Sequence, residues 1–369
     1  MASPAQRYIG LMSGTSMDGI DAAILEITPH SYTLTHHYCH SIPANLRTQL
    51  LALCQPGENE IMRMGQADYQ LGLEFAAAVR QLLNISDLRP EDIQAIGSHG
   101  QTIRHHPEGN TPFSLQIGNP NIISHHTGIC TVADFRSRDI AAGGQGAPLA
   151  PAFHQAAFAH SNKNRIIINI GGMANITPLI KGLATQGFDT GPGNVLMDYW
   201  IGKQLGEPYD RNGDWASRGL VIPELLAQLL QDSYFALPAP KSTGREHFNS
   251  HWLEQRLIGY DEQPADVQAT LLQLTASSLA QAILALDIAI DEIFIGGGGA
   301  HNQALLKALQ TALPHCPVAD TSALGIAPDW VEAAAFAWLA QQTLNGLNGN
   351  IPAATGASVP CILGAIHPA

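Results

Sequence analysis

The feature that most constrains the fold is a strand–turn–strand pattern that occurs twice in the chain. In the first copy an apolar run, Tyr8–Met12, leads into a turn of Ser, Gly, Thr and Asp, and strand-like residues resume over Ile20–Ile27. In the second copy the β-branched run Arg165–Ile170 leads into Gly171–Asn175, and Ile176 resumes the strand. Two similar hairpins, each near the beginning of one half of the chain, indicate a duplicated α/β domain.

Helical patterns alternate with these strands. Apolar residues follow the 3.6-residue period of an amphipathic helix over Asp68–Leu83 and again over Val267–Leu286. A short apolar strand, Glu292–Ile295, ends in the glycines Gly296–Gly299, and a helical pattern follows over Asn302–Leu313. Strands and helices in alternation predict a mixed α/β fold.

The length of the chain, 369 residues, favours two domains and also allows one large domain. The stretch Gly143–Pro148 is rich in glycine and proline and is the candidate boundary. We therefore predict an N-terminal domain over residues 1–146 and a C-terminal domain over residues 147–369.

The composition limits the kinds of partner. With 18 basic and 31 acidic residues the formal charge is -13, which argues against a polyanion such as nucleic acid. Five widely separated cysteines indicate neither a disulfide framework nor a metal site, and a reducing compartment fits them best. The first residues lack the apolar core of a signal peptide, and no segment reaches the ~18 apolar residues of a membrane span. We expect a cytoplasmic protein without nucleic-acid or membrane partners.

The turn of the first hairpin, Ser13–Gly19, has the composition of a phosphate-binding turn. Its two glycines have the spacing of a P-loop, but Ile20 and Asp21 stand where that motif needs Lys and Ser or Thr, so that motif is excluded. Backbone N–H groups and hydroxyls can still surround phosphate oxygens while Asp18 faces Mg²⁺. A plain tight hairpin, for which Asp-Gly is the favoured pair, explains the same residues equally well.

Glycine turns follow short apolar strands at three places, Gly14, Gly171–Gly172 and Gly296–Gly299. Nucleotide sites are commonly assembled from such turns, because glycine lets the backbone approach phosphate or adenine closely. Simple punctuation between strands also explains each turn. A nucleotide site and ordinary turns both remain open at this point.

Asp189 lies in the breaker-rich loop Phe188–Gly193, where rigid backbone would present a carboxylate at a cleft. An Asp that precedes Thr-Gly-Pro is also well suited to an Asx turn, which by residue type alone is the more common use. The residues alone leave a catalytic role and a turn role open.

Segments throughout the chain resemble, in the same order, those of the anhydro-N-acetylmuramic acid kinase family. These segments are Gly10–Asp21, Ser98–Thr102, Ala133–Arg136, Asn169–Asn175, Gly187–Asn194, Lys241–Glu246 and the Gly296 loop. The resemblance extends from Tyr8 to about Leu363 and so covers almost the whole chain, and the segments together are highly specific. Met17 stands where the family often has Leu, a change between two apolar side chains of similar volume.

The resemblance implies the fold of the superfamily of sugar kinases, heat-shock chaperones and actin: two ribonuclease H-like domains with ATP in the cleft between them. It implies an ATP-dependent kinase that uses Mg²⁺, and a homodimer. The implied reaction, part of peptidoglycan recycling, opens the 1,6-anhydro ring of anhydro-N-acetylmuramic acid with water and phosphorylates O6. The products are N-acetylmuramic acid 6-phosphate and ADP. Asp189 matches the family's general base, which would deprotonate the water that attacks C1.

The resemblance also implies which residues bind the nucleotide. The two hairpins would hold the phosphates, and the Gly296 loop would meet the nucleoside. The residues predicted to bind ATP are Met12, Ser13, Gly14, Thr15, Ser16, Met17, Asp18, Gly19, Gly171, Gly172, Asn175, Gly191, Gly296, Gly297, Gly298 and Asn302. Asp18 is in addition the predicted Mg²⁺ ligand.

A second set of residues is implied to bind the sugar. Its members are Ser98, His99, Gly100, Gln101, Thr102, Arg136 and Glu332. Arg136 would bind the lactyl carboxylate in a bidentate manner, although a surface pair with Asp134 or Asp139 is an alternative. Glu332 could instead form a capping box with Asp329 at the start of a helix.

Two rival functions remain open. An ATP-binding chaperone or structural protein of the same superfamily would use hydrolysis to drive domain motion. Such a protein would need an additional segment for binding a client or for polymerising, and the sequence pattern does not predict one. A sugar kinase of the ordinary kind would phosphorylate a free hydroxyl without opening a ring.

Overall fold

The structure is a computed structural model that describes residues 5–14, 17 and 19–369. Its strands are β1 (Gln6–Met12), β2 (Gly19–Thr28), β3 (Ser31–Ser41), β4 (Ala95–Ser98), β5 (Gln101–His106), β6 (Phe113–Ile117), β7 (Thr131–Ala133), β8 (Arg165–Ile170), β9 (Met173–Leu179), β10 (Phe188–Pro192), β11 (Glu292–Gly296), β12 (Val318–Asp320) and β13 (Ala365–His367). Its α-helices are α1 (Ala44–Leu53), α2 (Glu60–Ser86), α3 (Pro120–Thr127), α4 (Ser137–Ala141), α5 (Ala150–Phe158), α6 (Val195–Leu205), α7 (Pro223–Leu230), α8 (Ser250–Arg256), α9 (Pro264–Leu284), α10 (Gln303–Ala312), α11 (Val331–Leu344) and α12 (Pro352–Thr355). Within the described residues, every helix is too short or too polar to cross a membrane.

Contacts within the chain divide it into two compact units. Unit 1 comprises Met1–Ala157 and Trp330–Ala369, and unit 2 comprises Phe158–Asp329. This division departs from the predicted boundary between residues 146 and 147. Nearly all of α5 belongs to unit 1, and the C-terminal segment that carries α11 returns to unit 1 as well.

Unit 1 is built on a sheet with the strand order β13-β7-β4-β1-β2-β3. β1, β2 and β3 form an antiparallel meander, whereas β4 runs parallel to β1 and β7 runs parallel to β4. Ile9 and Leu11 of β1 share a core with Leu71 and Phe75 of α2, and all four side chains are fully buried. Each such side chain contributes about 1.5–3 kcal/mol through burial.

Helix α11 covers the other face of this sheet. Alternate residues of a strand point to opposite faces, so Gly10, between Ile9 and Leu11, is on the face away from α2. A Cβ atom at Gly10 would lie 1.7 Å from the Ala333 carbonyl oxygen, and one at Gly97 would lie 1.9 Å from that of Phe336. The two glycines therefore let the helix backbone rest directly on β1 and β4. This close packing is the physical reason why the C-terminal segment belongs to unit 1.

Unit 2 repeats the arrangement with the order β10-β9-β8-β11-β12. β8, β9 and β10 form an antiparallel meander, and β11 and β12 continue parallel to β8. Both units therefore show the 3-2-1-4-5 strand order of a ribonuclease H-like domain, with β13 added at the edge in unit 1. The predicted fold class and the duplication are confirmed.

The predicted local elements are present with changed limits. Both hairpins form, as β1–β2 and β8–β9. The helix predicted over Asp68–Leu83 begins earlier in α2, where the exposed Ile61 and Met62 obscure the amphipathic pattern. The turn predicted over Gly171–Asn175 is shorter, because β9 already includes Asn175.

Candidate active site

The turn between β1 and β2 is anchored by buried side chains. The Ser13 hydroxyl lies 2.7 Å from Gln101 Oε1 and 3.2 Å from the Gly19 carbonyl oxygen. Met17 packs in the core, and its amide donates to the Gly14 carbonyl at 3.2 Å. A Cβ at Gly14 would meet no described residue within 4 Å, so the backbone there is open on the side of the described part of the chain. Of the other predicted members of this turn, Met12 ends β1, and Thr15, Ser16 and Asp18 lie outside the described residues.

The segment Ser98–Thr102 directs most of its side chains inward. Ser98, His99 and Gln101 are buried. Gly100 adopts a left-handed conformation with φ +72°, and a Cβ there would lie 2.7 Å from a neighbouring carbonyl oxygen. Thr102 is the half-buried member of the segment. His99 and Gln101 hold Arg136 and Ser13, whereas the buried Ser98 hydroxyl has no hydrogen-bond partner among the described residues.

Arg136 is bound within unit 1 rather than to a surface acid. Its Nε and Nη2 donate to Nε2 of His99 at 3.2 and 2.7 Å, and its Nη1 donates to the Gly146 carbonyl at 2.6 Å. The alternative of an ion pair is not found, since Asp134 accepts from a neighbouring serine hydroxyl and Asp139 is fully buried with partners of its own.

The charges of Arg136 and Glu332 influence each other without forming an ion pair in the described structure. Burial lowers the pKa of Arg136 to about 10, against the opposing effect of Glu332 and Asp139, so the guanidinium stays charged at neutral pH. Burial among protein atoms raises the pKa of Glu332, and Arg136 opposes that shift. Glu332 is nevertheless an exposed residue, so its carboxylate remains open to a ligand.

The interpretation of Glu332 as part of a capping box is wrong. The N-cap of α11 is Trp330, which provides no side-chain hydrogen bond to the helix. The Asp329 carboxylate instead contacts Nε2 of His301 at 2.8 Å. Glu332 is therefore not needed to begin its helix.

The turn between β8 and β9 is fixed to the start of α6. The Gly171 carbonyl accepts a hydrogen bond from the Asn194 amide at 2.8 Å. The Gly172 carbonyl accepts one from the Gly193 amide at 2.9 Å. A Cβ at Gly172 would lie 3.7 Å from Nη2 of Arg245, so a guanidinium borders the turn. Rigid backbone beside a guanidinium is an arrangement that suits phosphate oxygens.

Two other predicted nucleotide residues lie in strands rather than in this turn. Asn175 is a half-buried residue of β9. Gly191 follows a bulge in β10 with φ +146°, and a Cβ there would lie 2.7 Å from the Phe235 ring. Gly191 thus makes room for that ring.

The glycine loop after β11 packs on the end of β8. Gly297 has φ +75°, and a Cβ there would lie 2.4 Å from Asn169 Oδ1. Among residues 5–14, 17 and 19–369, none would lie within 4 Å of a Cβ at Gly298, so this part of the loop is open, whereas Gly296 is buried at the end of β11. Asn302 is the N-cap of α10, because its Oδ1 accepts from an amide of that helix at 3.0 Å.

The carboxylate of Asp189, in β10, is held through one of its two oxygens. Ser242 Oγ donates to Oδ2 at 3.1 Å, and the Thr243 amide donates to the same oxygen at 3.0 Å. Oδ1 accepts no hydrogen bond from the described residues. The partners lie on a distant loop, so the Asx-turn interpretation of Asp189 is wrong.

The environment of Asp189 makes it a stronger base than an ordinary Asp. Burial raises its pKa, Glu246 adds to the rise, and the bonds from Ser242 and Thr243 oppose it. Its backbone is fixed as well, because the Tyr234 hydroxyl donates to its carbonyl at 2.7 Å. A carboxylate with a raised pKa, one oxygen held and the other open can act as a general base.

Sequence reasoning missed Ser242 and Thr243 as residues that hold Asp189. Hydroxyl residues in a loop have many ordinary uses, so their type alone carried no signal. The signal that could have found them was the Lys241–Glu246 segment, which was among those that resemble the family.

A further carboxylate with a shifted pKa was not singled out from the sequence. Burial raises the pKa of Asp198 to about 7, where Arg245 opposes the shift and Asp210 adds to it. Asp198 lies in the first turn of α6, a position where an acid is usually explained by the helix dipole.

Comparison with known proteins gives one family. Residues 6–369 match the family model of anhydro-N-acetylmuramic acid kinase. A relative of that name from Pseudomonas paraeruginosa (strain DSM 24068 / PA7) is 51% identical over 98% of this chain and 99% of its own length. One from Shewanella woodyi (strain ATCC 51908 / MS32) is 50% identical over 98% of each chain.

Among solved structures, the activator of the 2-hydroxyisocaproyl-CoA dehydratase from Clostridium difficile with bound ADPNP is 13% identical with a TM-score of 0.47, over 93% of this chain and 98% of that one. That likeness is too low to support a functional argument.

Proposed function

The chain belongs to the anhydro-N-acetylmuramic acid kinase family, and we propose that it opens the 1,6-anhydro ring of its sugar with water and phosphorylates O6 from ATP. The products are N-acetylmuramic acid 6-phosphate and ADP. The observation that carries the proposal is Asp189, a carboxylate with a raised pKa, one oxygen held and the other open.

Asp189 performs the first step in this proposal. Its open Oδ1 accepts a proton from a water molecule while the water oxygen forms a bond to C1 of the sugar. The bond between C1 and the bridging oxygen breaks, and its electron pair stays on O6. Because Ser242 and Thr243 hold Oδ2, the base keeps its direction as the charge on the carboxylate changes.

The liberated O6 is the nucleophile of the second step. It forms a bond to the γ-phosphorus of ATP, and the bond between that phosphorus and the β,γ-bridging oxygen breaks to release ADP. The open backbone at Gly14 and the turn at Gly172, with Arg245 beside it, supply donors suited to the phosphate oxygens. The open part of the glycine loop at Gly298 is proposed to meet the nucleoside.

The sugar is proposed to bind through Arg136 and Glu332. Arg136 is charged and offers N–H groups to the lactyl carboxylate, while the carboxylate of the exposed Glu332 accepts hydrogen bonds from the sugar. The buried side chains of His99 and Gln101 hold Arg136 and Ser13, and Gly100 and Thr102 are the members of that segment proposed to touch the sugar.

Mg²⁺ enters the proposal together with ATP. Magnesium usually binds through phosphates and water and needs one or two protein carboxylates. Within the described residues, no group of three or more His, Cys, Asp or Glu side chains could hold a metal ion alone. The amide-rich turn with its single acid fits an ion shared with phosphate, and Asp18 is the residue proposed to contact it. When bound, the ion would neutralise charge that develops on the phosphates.

The cellular setting is part of the proposal. The described cysteines are free thiols, which fits a reducing cytoplasm. We further propose a homodimer, as the family resemblance implies. Sedimentation equilibrium would settle the oligomeric state.

The proposal is tested by measuring ADP release with and without the anhydro sugar. We expect release to depend strictly on 1,6-anhydro-N-acetylmuramic acid, because O6 exists as a nucleophile only after the ring opens. Release that continues at the same rate without sugar would favour an ATPase of the chaperone class. Phosphorylation of ordinary N-acetylmuramic acid at the same rate would favour a sugar kinase that opens no ring.

A further inference from the structure

The pair formed by the buried His99 and the half-buried Arg136 has a role beyond the chemistry described above. We propose that His99 is a positioning residue: as a neutral acceptor it fixes the guanidinium of Arg136 so that its remaining N–H groups select sugars with a lactyl carboxylate. The inference rests on the proposed function, since it concerns the sugar of that reaction.

The hydrogen bonds of His99 assign its tautomer. Nδ1 lies 2.9 Å from the Gly100 carbonyl oxygen, an acceptor only, so Nδ1 carries the proton. Nε2 must then be the acceptor for the two donors of Arg136, at 3.2 and 2.7 Å. The ring also packs against Phe336 with the centroids 4.7 Å apart. The imidazole is thereby fixed in place and in protonation state.

The charge of the pair requires His99 to be neutral. A protonated ring would lose its acceptor and would face the positive charge of Arg136. Burial and that same charge lower the pKa of His99 well below its ordinary value, so the acceptor persists at neutral pH.

The guanidinium retains donors for a ligand after these contacts. Arginine has five N–H groups. His99 takes one from Nε and one from Nη2, and the Gly146 carbonyl takes one from Nη1. One N–H on each terminal nitrogen is left without a partner among the described residues. Two donors are what a bidentate carboxylate needs.

A second buried group holds the opposite side of the guanidinium. Asp139 is fully buried, and its Oδ2 accepts from the Gly146 amide at 2.8 Å. Its Oδ1 accepts from Asn350 at 2.6 Å and from Thr355 at 2.7 Å. Because the Gly146 carbonyl binds Arg136, Asp139 fixes the loop that holds Nη1. Arg136 is thus held at Nε and Nη2 by His99 and at Nη1 by the Gly146 carbonyl, and the residue remains half-buried, which leaves part of its surface for a ligand.

The test is a double-mutant cycle between a side chain and a ligand group. Calorimetry, without ATP, would measure binding of 1,6-anhydro-N-acetylmuramic acid and of 1,6-anhydro-N-acetylglucosamine, which lacks the lactyl group. We expect the wild type to prefer the first sugar by roughly 10- to 100-fold, the usual effect of hydrogen bonds to a charged group. His99→Phe keeps an aromatic ring but removes the acceptor, so we expect the preference to fall to a few-fold with little change for the second sugar.

Conservative and matched variants separate positioning from a structural role. The amide oxygen of His99→Gln can reach the place of Nε2, so this variant should recover much of the preference, whereas the shorter His99→Asn should not. His154→Phe removes another buried histidine of unit 1 and should leave the preference unchanged even if stability falls. Thermal unfolding of each variant checks that it is folded, and either His99→Phe or His99→Asn suffices for the cycle.

Two results would overturn the inference. One is an undiminished preference in His99→Phe or His99→Asn. The other is an equal loss of affinity for both sugars, which indicates a structural role only. A wild type that binds the muramic sugar and releases ADP in its presence, but lacks any preference between the two sugars, would also overturn it while leaving the proposed function intact. A wild type without sugar-dependent ADP release would instead remove the proposed function itself.

Discussion

Asp189→Asn is expected to lower kcat by a factor of about 10² to 10⁴, the usual contribution of a general base, with thermal unfolding and ATP binding near those of the wild type. The Thr243 amide requires an acceptor at the place of Oδ2. The amide oxygen of the new side chain would take that place, which puts its NH₂ group where Oδ1 lies. A donor then faces the water that must lose a proton. Steady-state kinetics and calorimetry with ATP would check this.

Ser242→Ala is the matched control, because it keeps the base and removes one of its supports. The hydroxyl stabilises the charged form and so opposes the rise in the pKa of Asp189. Without it the pKa rises further, and the acid limb of kcat should move to higher pH while activity persists. If Asp189→Asn kept more than about one tenth of the wild-type kcat, the loss would be far smaller than removal of a general base causes. That result would contradict the assignment of Asp189 as the general base.

The second large effect is expected from Gly97→Ala, which should destabilise unit 1 by about 3 kcal/mol or more, at the upper end of overpacking. The new methyl group would lie 1.9 Å from the Phe336 carbonyl oxygen. Backbone atoms on both sides form this contact, so β4 and α11 must separate. A loss of this size is a large part of a typical stability of about 5–15 kcal/mol. Urea unfolding would measure it.

Gly65→Ala provides the opposite control. Gly65 is an exposed residue inside α2, and a Cβ there would meet nothing within 4 Å. The change should stabilise by up to about 1 kcal/mol, the difference in helix propensity. An unchanged urea midpoint for Gly97→Ala would mean that α11 does not rest on β4.

The local elements of the fold could be predicted from the sequence, but their long-range assembly could not. β-branched runs around glycine turns predicted both hairpins, because strand and turn preferences act over a few residues. The return of α11 to unit 1 depends on a contact between Gly97 and Phe336, far apart in the chain. Periodicity cannot say which sheet a distant helix covers. The glycines Gly10 and Gly97, which lack a Cβ atom, were the one clue in the sequence that a helix packs closely on β1 and β4.

The same limit applies to the site. Asp189 could be picked out because it lies among breakers in a segment that resembles a known family. Its supports, Ser242 and Thr243, come from another loop, and the sequence offers no measure of that distance. His99 was predicted to bind the sugar, whereas the structure buries it against Arg136. Residue type could not distinguish touching a ligand from holding a residue proposed to touch it.

The most direct test of the account is the fate of solvent oxygen when the reaction runs in H₂¹⁸O. We predict one ¹⁸O at C1 of N-acetylmuramic acid 6-phosphate and none in the phosphoryl group, because water attacks the sugar and O6 attacks phosphorus. Authentic product kept in H₂¹⁸O for the same short time corrects for exchange at C1. A product whose C1 oxygen is unlabelled beyond that correction, or ¹⁸O found in inorganic phosphate, would contradict the account.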